Sequence, residues 1–127
     1  MMFIVICCLF FFILVSFYSA FAKRNSIPRI IHKIYIENSK TIPVNKITEF
    51  KEAHESWKTL NPDYKIRYWS WEDCENYLIE NFDERYIKVF NKLKPFSYKC
   101  DFFKFCVIFK EGGWISDWKP ILYERRI

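Results

Sequence analysis

The residues best placed to do chemistry lie near the C-terminal end of the chain. Gly112-Gly113 is followed by Trp114-Ile115-Ser116 and then by Asp117, Trp118 and Lys119. An apolar triplet after a glycine pair reads as a short strand, so Asp117 and Lys119 fall just beyond a strand's carboxyl end. In open α/β sheets that edge is where ligands bind. A carboxylate there suits a hard cation such as magnesium or manganese, which takes oxygen ligands. Upstream, Asp101 and Lys104 stand three residues apart in a helical segment and so share a face. They can reach a common ligand, or they can simply pair with each other for roughly 0.3 kcal/mol. Cationic charge at a departing phosphate, with carboxylates around an electron-poor carbon, is what group transfer from a nucleotide sugar requires. His32 lies in an isoleucine-rich strand and reads as a packed residue rather than an acid or base.

For these residues to converge, helices must alternate with strands. Arg29 to Ile36 has the isoleucine-rich, aromatic character of a strand covered on both faces. From Lys46 to Leu60, Ile47, Phe50, Ala53, Trp57 and Leu60 recur at three- and four-residue steps. That period predicts one amphipathic helix, stopped at Asn61-Pro62 because proline lacks the amide proton. Tyr64, Ile66 and Tyr68 alternate with Lys65 and Arg67, giving a second strand with one wet face. Ser70 is placed to cap a helix whose first residues include Glu72, Asp73 and Glu75. Trp71 to Phe90 reads as helix in two pieces broken near Asn81, and Pro95 ends it. Ser97 is the expected cap of a last helix to about Lys110, apolar almost all round and therefore suited to the inside of a larger domain. Strand, helix, strand, helices, strand is the order of an α/β fold.

The chain has 127 residues and a formal net charge of +5. Met1 to Ala22 carries no charged side chain and is apolar over a length that can cross a bilayer as a helix. Ala20-Phe21-Ala22 also fits the small-x-small pattern of signal-peptide cleavage, so anchor and signal peptide both fit. Residues 23–28 read as a linker and 29–127 as the folded domain, a size with little margin of stability. Lys23 and Arg24 follow the apolar segment directly, a bias that would hold the rest of the chain in the cytoplasm. All charge lies beyond that segment and suits an anionic partner such as a nucleotide diphosphate or a phospholipid surface. Lysines and arginines form no dense block and no nucleic-acid-binding module is present, so nucleic acid is not an expected partner. Cys74, Cys100 and Cys106 lack C-x-x-C spacing, and their odd number argues against a disulfide framework.

Four segments in register carry a resemblance. They are Ile27-Pro28-Arg29-Ile30-Ile31-His32-Lys33-Ile34-Tyr35, then Ser56-Trp57 with Asn61-Pro62-Asp63-Tyr64. The third is Lys99-Cys100-Asp101-Phe102-Phe103-Lys104-Phe105, and the fourth runs from Gly112-Gly113-Trp114-Ile115-Ser116 to Asp117-Trp118-Lys119. In order and spacing they resemble the glycosyltransferases with a DXD sugar-binding region, the group that includes initiation mannosyltransferases and capsular polysaccharide transferases. The resemblance implies an incomplete GT-A, Rossmann-like domain, the N-terminal part of an enzyme that moves a sugar from a nucleoside-diphosphate sugar to a glycan or lipid-linked acceptor. It places such an enzyme on the lumenal side of the Golgi or endoplasmic reticulum, against the charge bias around Lys23. It also implies roles: Tyr35 toward the nucleotide base, Asp101 and Lys104 on the donor, Asp117 and Lys119 at the catalytic motif, and Asp117 as ligand of manganese or magnesium.

Two residues depart from the family pattern. Lys104 stands where arginine is usual and lacks the planar fork for bidentate contacts. Lys119 stands where the motif has its second aspartate, and an ammonium cannot ligate a cation. Three outcomes are open: Lys119 meets the diphosphate in place of a metal, Asp117 holds a metal with other ligands, or the site has lost activity. Members of the family continue past this motif into an acceptor region, whereas residues 120–127 contain Glu124 as their sole carboxylate. A non-catalytic, membrane-anchored protein that binds nucleotide sugar or a partner enzyme is therefore the competing reading. A small membrane protein packing on lipid is a third, and it would not require four motifs in register.

Overall fold

The computed structural model describes residues 1–24 and 26–118. It opens with α1, Met2–Arg24, in which Met2–Ala22 is long and apolar enough to cross a membrane and is exposed throughout. The strands β1 (Ile30–Ile34), β2 (Lys65–Trp69) and β3 (Trp114–Ile115) form one parallel sheet in the order β2-β1-β3. Ile31 of β1 lies opposite Ile66 on one side and Trp114 on the other. Parallel neighbours need crossovers. Here α2 (Val44–Glu49) and α3 (Lys51–Leu60) make the first; α4 (Trp71–Asn81), α5 (Glu84–Lys92) and α6 (Phe96–Glu111) make the second. All strands run the same way, so Tyr35, Ser70 and Ser116 to Trp118 share the carboxyl edge.

Successive side chains on β1 point to opposite faces, and each face finds a different layer. On one face Lys33 reaches Trp57 of α3. On the other, the Trp69 ring lies 5.1 Å edge-to-face from both Tyr77 of α4 and Phe103 of α6. Leu78, Phe90 and Val107 are fully buried around them. Such aromatic pairs add about 1 kcal/mol each beyond the area they bury. His32 is fully buried here too, and the Trp69 Nε1–H donates to its Nδ1 at 3.1 Å. The ring proton therefore sits on Nε2, which donates to the Gly112 carbonyl at 3.0 Å. Burial pulls the His32 pKa down, keeping the ring neutral as this pairing needs. His32 is the packed residue its strand suggested, and it ties β1 and β2 to the end of α6.

Local chemistry accounts for the element ends. Ser70 caps α4 through a reciprocal box: its Oγ accepts from the Asp73 N–H at 3.1 Å, and Asp73 accepts from the Ser70 N–H at 2.9 Å. Gly112 and Gly113 end α6 at φ of 68° and 92°, values that side chains disfavour.

Two boundaries differ from the sequence expectation. The predicted helix over 46–60 is two helices, interrupted at Phe50 with φ −105° and ψ 19°. The Phe50 N–H still donates to Lys46 and its carbonyl accepts from His54, so bonding is nearly continuous across a break that no glycine or proline marks. The cap of α6 is Pro95 rather than Ser97: its extended backbone starts the helix, with no side-chain cap, and its carbonyl accepts from the Tyr98 N–H at 3.0 Å. Nor is α6 enclosed all round. It buries Lys99, Phe103, Cys106 and Val107 but leaves Phe105 and Phe109 79% and 83% exposed.

Candidate functional site

Asp117 lies two residues past β3, and the backbone that carries it is held from beneath by Lys33. The Lys33 Nζ donates to the Ser116 Oγ at 3.1 Å and to the Asp117 carbonyl at 3.0 Å. The side chain is fully buried, and its ammonium lies 4.9 Å from the centre of the Trp57 ring. Burial pushes its pKa down to about 8, opposed by the nearby Asp117 charge. The Ser116 N–H donates to the His32 carbonyl at 3.0 Å, extending the β1–β3 pairing to the edge of the site. The turn bearing Asp117 is thus fixed by side chain and main chain together.

The helix brings the second group of residues to the same place. Lys104 Nζ lies 3.4 Å from Asp101 Oδ1 and 3.6 Å from Asp117 Oδ1. The i,i+3 pair foreseen on α6 exists, and it extends to a carboxylate on another element. Asp101 and Asp117 are 64% and 74% exposed at their side chains and Lys104 32%, so an incoming ligand can reach all three. Both distances exceed those of tight charge-assisted bonds, which leaves the ammonium free to exchange partners. Among the described residues no three His, Cys, Asp or Glu side chains gather into a metal-binding group. Asp101 and Asp117 lie on either side of the Lys104 ammonium, whose charge opposes a cation between them. Lys119 and Glu124 lie outside the described residues.

Tyr35, one residue past β1, has a 7% exposed ring, and its hydroxyl donates to Glu37 at 2.8 Å. Burial, with Glu37 adding to it, raises its pKa to about 12. Its ring lies 5.3 Å from Trp118. Trp118 in turn meets His54 at 4.4 Å and Tyr68 at 5.6 Å, both edge-to-face. The rings of Trp118, His54 and Tyr68, with Ile42, Ile47 and Lys51, line a cavity of about 300 Å³. His54 is only 9% exposed, and among the described residues neither of its ring nitrogens has a hydrogen-bond partner. Burial first, and Lys33 second, lower its pKa and keep it neutral.

Lys33 and His54 are the residues that sequence reasoning passed over. A signal for Lys33 existed: a lysine inside a strand read as covered on both faces is an anomaly that calls for a polar partner. Nothing local marked His54. Lys33→Met is expected to loosen the turn that carries Asp117 by freeing its carbonyl, raising amide hydrogen exchange at residues 116–118 about tenfold. A pH series separates this from misfolding. With a folded pKa near 8 and an unfolded value near 10.5, the unfolded chain holds more protons between those limits. Lys33 therefore makes stability rise with pH across that window, by at most about 3 kcal/mol. The thiols of Cys74, Cys100 and Cys106, raised by desolvation, act oppositely but cancel between variants. The stability of wild type relative to Lys33→Met, read from urea midpoints, should increase from pH 8 to 10; a flat difference would contradict the assignment.

A parallel α/β sheet with helices between its strands collects carboxylates and an ammonium beyond its carboxyl ends, the edge at which open α/β sheets take ligands. Residues 48–121 match the family described as glycosyltransferase sugar-binding region containing DXD motif, and the chain belongs to that family. A relative, the uncharacterized glycosyltransferase L373 of Acanthamoeba polyphaga mimivirus, is 31% identical over 87 residues, covering 68% of this chain and 33% of that protein. The chain thus spans about a third of the length of that relative. No solved structure matches it.

Proposed function

We propose that this chain binds a nucleoside-diphosphate sugar at the carboxyl edge of its sheet, as the donor-binding part of a GT-A glycosyltransferase acting on a glycan or lipid-linked acceptor. The observation that carries this reading is Lys104 lying between Asp101 and Asp117. Those three residues come from two elements and converge at the edge where α/β sheets take ligands. In this reading Lys104 turns toward the diphosphate and stabilises its developing charge as the sugar departs. Asp101 and Asp117, released from the ammonium, accept hydrogen bonds from sugar hydroxyls. The aromatic cavity beside Trp118 receives the base, and Tyr35 supports Trp118 from beneath. Lys119 adds positive charge where the family has a second aspartate, and with Lys104 it replaces a divalent cation. The domain stands on the lumenal side of the Golgi or endoplasmic reticulum.

The test is calorimetric titration of the full chain with UDP-glucose and GDP-mannose, with EDTA and then with manganese. Binding that ignores EDTA is expected in the wild type. Lys119→Asp should make it manganese-dependent, because the second carboxylate restores an oxygen donor set. Failure of both donors to bind would sink the proposal, and an unchanged response in Lys119→Asp would sink the placing of Asp117 at a cation position. The Lys119 substitution also favours a second reading, donor binding without turnover. Donor hydrolysis measured on the same samples separates the two.

A further inference from the structure

The aromatic surface of α6 is used by none of the chemistry above. Among the described residues of the folded domain Phe105 and Phe109 are the most exposed aromatics, and with Phe82, Tyr86, Phe102 and Cys106 they line an open groove of about 360 Å³ between α5 and α6. Because α6 leads directly into β3, it runs opposite to the strands, and Phe109 lies at the sheet's amino edge, away from Asp117. The chain enters the domain at that same edge. Pro28 is seated so close to Gly112 that a Cβ there would lie 3.0 Å from its ring. Residues 25–27 are all that separates Pro28 from the end of α1, and the four Cα steps from Arg24 to Pro28 span at most about 14 Å. From Gly112 back to Phe109 is a further rise of about 5 Å along the helix. With Met2–Ala22 in a bilayer, this end of the domain is held at headgroup depth.

We propose that the Phe105–Phe109 groove rests on the bilayer interface, so that the strand carboxyl ends and Asp117 face away from the membrane. Aromatic side chains favour the boundary between headgroups and acyl chains. The rim charges indicate which lipid. Asp83 pairs with Arg85 and Glu84 with Lys88, while Lys110 lies 5.6 Å from the Phe82 ring. Of these groups the two acidic ones are paired and Lys110 is left over, a single charge that the headgroup phosphates of a zwitterionic phosphatidylcholine surface can meet, and that surface is the occupant. The inference stands apart from glycosyl transfer, since it concerns a face that the donor does not touch.

The full chain, reconstituted into phosphatidylcholine vesicles, carries p-benzoylphenylalanine in place of Phe105, of Phe109 or of Val44. Val44 is 77% exposed but begins the crossover that leaves the carboxyl end of β1. Illumination should yield lipid adducts at 105 and 109 severalfold above those at 44, with no further gain when phosphatidylserine is added. Adducts at 105 and 109 that join protein instead of lipid would overturn the proposal, as would equal lipid yields at all three positions. So would a mature chain from which residues 1–22 have been removed.

Discussion

Asp117→Asn is expected to lower affinity for the nucleoside-diphosphate sugar by about a hundredfold while leaving the domain folded. The carboxylate is mostly exposed, and its recorded partner is Lys104 at 3.6 Å, a surface pair worth about 0.5 kcal/mol or less. A charge-assisted hydrogen bond to a bound sugar is worth about 1.5–3 kcal/mol, which sets the scale of the loss. Calorimetric titration with UDP-glucose and GDP-mannose measures the effect, and the urea midpoint serves as the control. A second readout belongs to the same variant. Asp117 raises the pKa of Lys33, so removing its charge should move the Lys33-linked rise in stability to lower pH. Unchanged affinity in a folded Asp117→Asn protein would take Asp117 out of the donor site.

Gly113→Ala should destabilise the domain by about 3 kcal/mol or more, a large part of the 5–15 kcal/mol that holds a domain together. Gly113 has φ of 92°, and a Cβ built there would stand 2.6 Å from the Ile30 carbonyl oxygen. The obstacle is backbone of the central strand, so relief requires moving β1 away from β3. His32 Nε2 is 3.3 Å from the same Cβ, which threatens the bond that joins it to Gly112. Gly112→Ala meets only the Pro28 ring, at 3.0 Å, and carries the positive-φ penalty with a softer neighbour. Urea denaturation of the two variants should rank Gly113→Ala well below Gly112→Ala. Equal midpoints would show that the close approach of Gly113 to β1 is not maintained in solution.

Ser70 and the Trp71–Phe90 region show what short-range reading achieves. The cap, the acidic first turn and the break near Asn81 all appear as expected, with Asp73 closing the box and Asp83 starting α5. These features depend on neighbours within about four residues, so the information is local. Phe50 shows the limit. Its residue type fits an unbroken helix, and only the backbone angles reveal the interruption. Phe105 and Phe109 show another: an all-apolar helix was reason to expect enclosure, yet the described residues cover one side of it alone.

By itself the sequence determined the α/β order of elements, the apolar first helix, the glycine stop before β3 and four motifs in the register of a glycosyltransferase. The first three follow from side-chain period and backbone restriction, and the fourth is a resemblance to a known family. What only the tertiary structure decided is which of those faces meet. The parallel crossovers place β1 between β2 and β3, so Lys33 reaches the carbonyl of Asp117 across 84 residues of chain. They also bring Lys104 to Asp117 and seat Trp118 among Tyr35, His54 and Tyr68. Periodicity tells which side of an element a residue occupies, whereas its partner on that side is set by how whole elements pack.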